Sequence, residues 1–186
     1  MPKKATGLSE EEAIELRDQI EITLETGPRK QELLRLRCSD VNFDTGMVRY
    51  HGKGNKIRSV PMNKRAREIL ERRVKARNGN TSSFIFGNGK VAPKDFRKAF
   101  GSACEHAGIE DARIHDLRRT FGTRCAMAGV PPKTLQKWMG HESIETTMKF
   151  YVHVAEEFEK EAIERLNVFR KNDRQGDSSL EKGSDD

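Results

Sequence analysis

Residues 41–62 read VNFDTGMVRYHGKGNKIRSVPM, and their reading decides the fold class. Val48 and Tyr50 alternate with Arg49 and His51, and Ile57, Val60 and Met62 lie beyond a second turn, the period-2 pattern of half-buried strands. The DTG at 44–46 and the GKGN at 52–55 supply turn residues that tolerate positive φ. The stretch predicts three short antiparallel strands within about 40–62.

Outward from this segment the chain is helical. Towards the N-terminus, Ser9 and Glu12 form a capping box for a helix over about 10–25, with Ile14, Ile20 and Leu24 among its apolar positions. Gly27-Pro28 ends it, and the proline suits the first turn of a short second helix, RKQELLRLR, ending near Cys38. Towards the C-terminus, Asn63 caps KRAREILERRVKAR, where Ala66, Ile69, Leu70 and Val74 share an apolar face and Arg65, Arg72 and Lys75 form a solvated one. Further helices are expected over about 93–107, 115–128, 132–139, 143–150 and 154–169. The last of these places Ala155, Phe158, Ala162, Leu166 and Phe169 on one stripe. From Lys171 to Asp186 the chain is too polar to pack and reads as a disordered tail. The expected class is α+β, mainly α, with a small three-stranded antiparallel sheet.

Of the 186 residues, 34% are hydrophobic and 34% charged, a composition suited to one core under a heavily charged surface. No apolar run approaches the roughly 20 residues needed to span a bilayer. The N-terminus MPKKATGLSEEEA has no signal-peptide apolar stretch, so a cytoplasmic location is expected. Cys38, Cys104 and Cys125 are scattered and show no C-x-x-C spacing, which favours reduced thiols over a zinc site or a disulfide framework. The net charge is +6, and acids outnumber bases in the tail, so the body is the more basic part. A polyanion partner follows, nucleic acid being the commonest.

Four segments combine unusual residues with punctuation: TGPRKQELLRL (26–36), HGKGNKIRSVP (51–61), HDLRRT (115–120) and MGHESIETTMKFY (139–151). Each has a plain reading as packing or solvated surface. Arg29 is odd at a helix start, because the positive end of the dipole disfavours a cation unless an anion is present. His115 and Arg118, three apart, share one side of a helix, a pairing that surface packing would explain. Tyr50 reads as a packing residue of its strand, and Phe150 as core.

Together and in order, these segments resemble the catalytic domain of tyrosine recombinases, the integrases of phages and mobile elements, from about Ser9 to about Val168. The resemblance implies that TG-x-R-x-x-E-L carries a catalytic arginine, Arg29, with Glu32 as its supporting carboxylate. It implies that GKG-x-K carries the hairpin lysine, Lys53 (Lys56 being its rival), that H-x-x-R carries His115 and Arg118, and that the Gly-His pair carries His141. The nucleophile it implies is Tyr151. His51, His106 and His153 have no catalytic part. The implied organisation is a catalytic domain over 1–170 and the polar tail over 171–186. Only eight residues precede Ser9, so the N-terminal core-binding domain of most members is expected to be absent from this chain. The implied partners are double-stranded DNA and further copies of the protein, a tetramer on DNA, with no membrane and no small-molecule ligand.

The chemistry needs these residue types. Attack on a phosphodiester loads charge onto its nonbridging oxygens, and Arg29 and Arg118 can each present a fork of donors to them. Tyrosine, with an ordinary pKa near 10, needs a base, for which His115 is the candidate. His141 would bond a phosphate oxygen or position Tyr151, and Lys53 would protonate the departing 5′ oxygen. A 3′-phosphotyrosyl link conserves the bond energy, so rejoining needs no ATP, and no cofactor or metal is expected. Two alternatives share the constellation: a type IB topoisomerase-like activity, and a non-catalytic DNA-binding module that has kept the fold.

Overall fold

The computed structural model describes residues 7–93 and 95–152. The helix expected over 154–169, His153 and the tail lie outside the described residues.

Helix α1 (Glu10–Thr26) begins on the expected capping box: Ser9 Oγ accepts from Glu12 N at 3.2 Å, and Ser9 N donates to Glu12 Oε2 at 2.8 Å. It ends on Gly27 at φ 61°, a left-handed conformation that favours glycine. Helix α2 (Lys30–Leu34) is shorter than its sequence suggests. The chain leaves the helix because Leu36 and Cys38 pair their backbones with the 83–85 segment, through Ile85 N to Leu36 O at 2.9 Å and Cys38 N to Ser83 O at 2.9 Å. Pro28 is not in the first helical turn. It precedes Arg29, which is the N-cap.

Strands β1 (Val41–Asn42), β2 (Met47–His51) and β3 (Ile57–Pro61) form an antiparallel sheet in sequence order. A 3₁₀ turn over Lys53–Asn55 joins β2 to β3. The register sets Val48 opposite Val60 and Tyr50 opposite Arg58, so these four share one face, and all are buried. Helices α3 (Lys64–Lys75), α4 (Arg97–His106), α5 (Ile114–Met127) and α6 (Pro132–Met139) follow, then a helix from 144 to the end of the described chain at 152. Asn63 caps α3 as expected, its Oδ1 accepting from Ala66 N at 2.9 Å. Helix α4 begins later than expected, after Asp95 Oδ1 accepts from Arg97 N at 3.0 Å.

Helix α1 packs between α3 and α5, and α6 packs on α5 and β3. The face that α1 buries is largely polar. Asp18, Gln19, Thr23 and Thr26 are buried, whereas Ile14 is exposed. The basic face of α3 is exposed at Arg65, Arg72 and Lys75, as expected, and its arginines also reach across to α1: Arg72 Nη2 lies 2.7 Å from Asp18 Oδ1, Arg73 Nε 2.6 Å from Asp18 Oδ2, and Arg65 pairs with Glu21. These arginines are occupied within the fold.

Candidate active site

The site forms where three chain reversals meet: the α1–α2 turn at Gly27, the loop after α6 at Gly140, and the β2–β3 hairpin. Both turn glycines sit at positive φ, 61° and 62°. A Cβ on Gly27 would lie 2.2 Å from the Phe121 ring, and one on Gly140 would lie 2.9 Å from Arg58 Cδ. Neither position has room for a side chain.

Carbonyl oxygens released at these helix ends hold the guanidiniums, as expected for groups left without intrahelical partners. Arg118, on α5 and only 3% exposed, donates from Nη1 to Gly27 O at 2.6 Å and from Nη2 to Met139 O. Arg29 donates from Nη2 to Gly140 O at 2.7 Å and from Nη1 to Glu32 Oε1 at 3.0 Å. The other oxygen of Glu32, Oε2, accepts from Arg29 N at 2.6 Å, so the anion that makes an arginine tolerable at this helix start comes from the chain itself. Arg118 is therefore not a surface partner of His115. It is buried while His115 is exposed.

A third guanidinium belongs to the cluster, from a residue inside the 51–61 segment to which the sequence motifs assign no role. Arg58 on β3 donates from Nε to Trp138 O at 2.6 Å and lies with Nη2 2.9 Å from Glu32 Oε2. Its guanidinium stacks over Tyr50, 4.9 Å from the ring centroid. A signal for it exists in the sequence: Arg58 is in phase with Val60, so it occupies an inward position of a strand, where an unpaired cation is costly.

Two guanidiniums, Arg29 and Arg58, thus contact one carboxylate, with Arg118 close by, and the local charge is positive. Burial, together with Arg58 and Arg29, pushes Arg118 down to about 9, with Glu32 opposing. His141, just after the α6 cap, feels the same field. Burial first, then Arg118, Arg29, Arg58 and His115, push it down to about 4, so its imidazole is neutral at pH 7. Its Nδ1 pairs with the buried Thr147 Oγ1 at 2.9 Å, and its ring stacks on Phe150 with centroids 6.1 Å apart.

Lys53 is exposed on the hairpin turn. The neighbouring Lys56 Nζ reaches Glu142 Oε1 at 2.9 Å, which ties the hairpin to the loop carrying His141. Glu142 is lowered by Lys56 first, and also by Arg29 and Lys53, so Lys53 stands near the cluster. Tyr151 is placed elsewhere: its hydroxyl donates to Val130 O, and burial and Cys125 raise its pKa. Tyr50 is the packing residue expected, fully buried with its hydroxyl 2.7 Å from Thr26 Oγ1.

The arrangement brings Arg29, Glu32, Arg118 and His141 into one cluster, adds Arg58, sets His115 and Lys53 at its edge, and leaves the Tyr151 hydroxyl outside it. Each guanidinium has five N–H donors in a plane, and Arg29 and Arg118 use only part of theirs on the carbonyls and Glu32. Such donors beside a neutral imidazole are the chemistry that a phosphodiester-like charge would call for.

The sequence model of the phage integrase family matches residues 4–157. Tyrosine recombinase XerC of Corynebacterium glutamicum is 30% identical over 170 residues, covering 89% of this chain and 54% of its own. Among solved structures, the Tn1549 transposon integrase in complex with transposon right end DNA superposes with a TM-score of 0.70 at 26% identity, covering 86% of this chain and 61% of that one. The catalytic domain of bacteriophage HP1 integrase superposes with a TM-score of 0.60 at 25% identity, covering 81% of each chain. The chain spans about half the length of the curated relatives it matches.

Proposed function

This chain belongs to the phage integrase family, and we propose that it is the catalytic domain, over residues 1–170, of a tyrosine-type site-specific recombinase. It cleaves and rejoins DNA strands through a 3′-phosphotyrosyl intermediate. The observation that carries this reading is the cluster of Arg29 and Arg58 on the Glu32 carboxylate with Arg118 close by, beside the neutral His141.

In the proposed reaction the Tyr151 oxygen attacks the scissile phosphorus and the bond from phosphorus to the 5′ oxygen breaks. His115 takes the tyrosine proton, and Lys53 gives a proton to the departing 5′ oxygen. Arg29 and Arg118 bind the nonbridging oxygens as charge builds on them, a contribution worth about 10²–10³ in rate for one donor of this kind. His141 Nε2 is the ring nitrogen not engaged by Thr147, and it bonds the same phosphate. Rejoining reverses these steps with another 5′ hydroxyl. Double-stranded DNA is the substrate, and several copies of the protein act together on it. Relatives crystallised on DNA, such as the Tn1549 integrase and XerH bound to its difH substrate, support this partner. No helix among the described residues is long and apolar enough to cross a membrane.

A nicked suicide DNA substrate tests the reading, because loss of the short 5′ fragment traps the covalent complex. A protein–DNA band that disappears in Tyr151→Phe is the expected result. A band that persists in Tyr151→Phe would assign the nucleophile elsewhere. No band with the unaltered protein, while DNA still binds, would favour a non-catalytic DNA-binding module.

A further inference from the structure

Arg58 lies beneath the cluster, only 9% exposed. It touches every piece of chain that holds the other two arginines. Nη2 lies 2.9 Å from Glu32 Oε2, the carboxylate that also fixes Arg29. Nε donates to Trp138 O at 2.6 Å, next to the Met139 carbonyl that holds Arg118. Nη2 also reaches Gly27 O at 3.4 Å, the oxygen that Arg118 Nη1 occupies at 2.6 Å. Its Cδ sits against Gly140, whose carbonyl oxygen holds Arg29.

This placement is costly. Among the described residues, Arg58 Nη1 is buried without a hydrogen-bond partner, which carries a desolvation penalty. Burial disfavours its charge first, Glu32 supports it and Arg29 opposes it, and Arg58 in turn disfavours the charge of Arg118. A well-packed apolar residue at an inward strand position would avoid both costs. A costly cation sited among the supports of a binding site is where local rules give way to function.

We propose that Arg58 is a positioning residue of the anion site, holding Glu32 and the Gly27 and Trp138 carbonyls so that Arg29 and Arg118 present their donors to one phosphate. Arg58 does not itself touch the phosphate, because its free Nη1 is covered. The planar fork is what matters: a lysine ammonium cannot reach the Glu32 carboxylate and the Trp138 carbonyl in fixed geometry at once. The inference rests on the reading of this cluster as the phosphate site, but not on Tyr151 being active.

The test uses Arg58→Gln and Arg58→Lys in the full chain, with inorganic phosphate as probe. Phosphate is titrated by NMR at the Gly140 and His141 amides, and folding is checked by thermal unfolding. The expected result is folded variants that bind phosphate about ten-fold more weakly or worse, comparable to the loss when partners that orient metal ligands are removed, with Lys no better than Gln. Adduct formation is then compared on a phosphodiester and on a neutral methylphosphonate at the cleavage position. A positioning role predicts a smaller deficit on the neutral linkage, whereas a merely structural role lowers both equally. Unchanged phosphate binding in a folded variant overturns the proposal, as does full rescue by lysine or failure of both variants to fold. A wild-type chain that does not bind phosphate overturns it too. Phosphate binding by the wild type without adduct formation would instead count against the strand-cleavage reading alone.

Discussion

The Tyr151 hydroxyl donates to the carbonyl oxygen of Val130, at the end of α6 opposite to the one where Met139 O holds Arg118. Helix α6 runs from Pro132 to Met139, and at 1.5 Å per residue the two ends are about 12 Å apart. The proposed nucleophile is thus held by a carbonyl beyond the opposite end of α6 from the one that holds Arg118, and in the proposed reaction Tyr151 leaves Val130.

The separation can be watched directly, because the chain has only two tyrosines. With fluorotyrosine at both, the ¹⁹F spectrum should hold one fixed resonance from the fully buried Tyr50 and one from Tyr151 that moves on adding DNA. A Tyr151 resonance unchanged by saturating DNA would show that the tyrosine stays at Val130.

His141 makes stability depend on pH with a definite sign. Its pKa is about 4 in the fold against an ordinary 6.5, so between these values the unfolded chain binds more protons and stability rises with pH. Read downwards, the stability is intact above about pH 6.5 and is lost as the pH falls towards 4. Denaturant unfolding at pH 7 and pH 4.5 should show a smaller acid loss in His141→Gln than in the unaltered protein. Equal losses would mean that His141 titrates normally.

Gly122 sets how closely the last described helix sits on α5. A Cβ there would lie 2.7 Å from the Phe150 ring, which stacks on His141. In Gly122→Ala the gain in helix propensity, about 1 kcal/mol, is set against overpacking of about 1–3 kcal/mol. The expected net is a loss of up to about 2 kcal/mol in urea unfolding, with a shifted His141 ring resonance. A more stable variant with an unmoved His141 would contradict the tight contact.

Lys53 and Lys56 should separate cleanly by leaving-group chemistry. Removing a general acid costs about 10²–10⁴ in rate, and a 5′-bridging sulfur, which leaves as thiolate without a proton, should restore that loss in Lys53→Ala. Lys56 pairs with Glu142 across exposed surface, where water screens the contact. Lys56→Ala should therefore be only mildly slower on both substrates in single-turnover cleavage. The reverse pattern would exchange the two roles.

Much of this was legible in the chain alone. The Ser9–Glu12 box, Gly27, the alternation through Val48 and Tyr50 and the Asn63 cap act over a few residues, and local physics determines them. The ordered motifs likewise marked Arg29, His115, Arg118, His141 and Tyr151. What depended on contacts between distant segments was not legible. That the arginines of α3 also pair with Asp18 and Glu21 depends on α1 packing beside them. The inclusion of Arg58 depends on β3 passing under Glu32 and Trp138. The sequence by itself determined the elements, their order and the residue types of the site, because caps, turns and periodicity are local. Only the tertiary structure decided which cations share one carboxylate and that Tyr151 rests on Val130, because burial and charge proximity exist only once distant segments have packed.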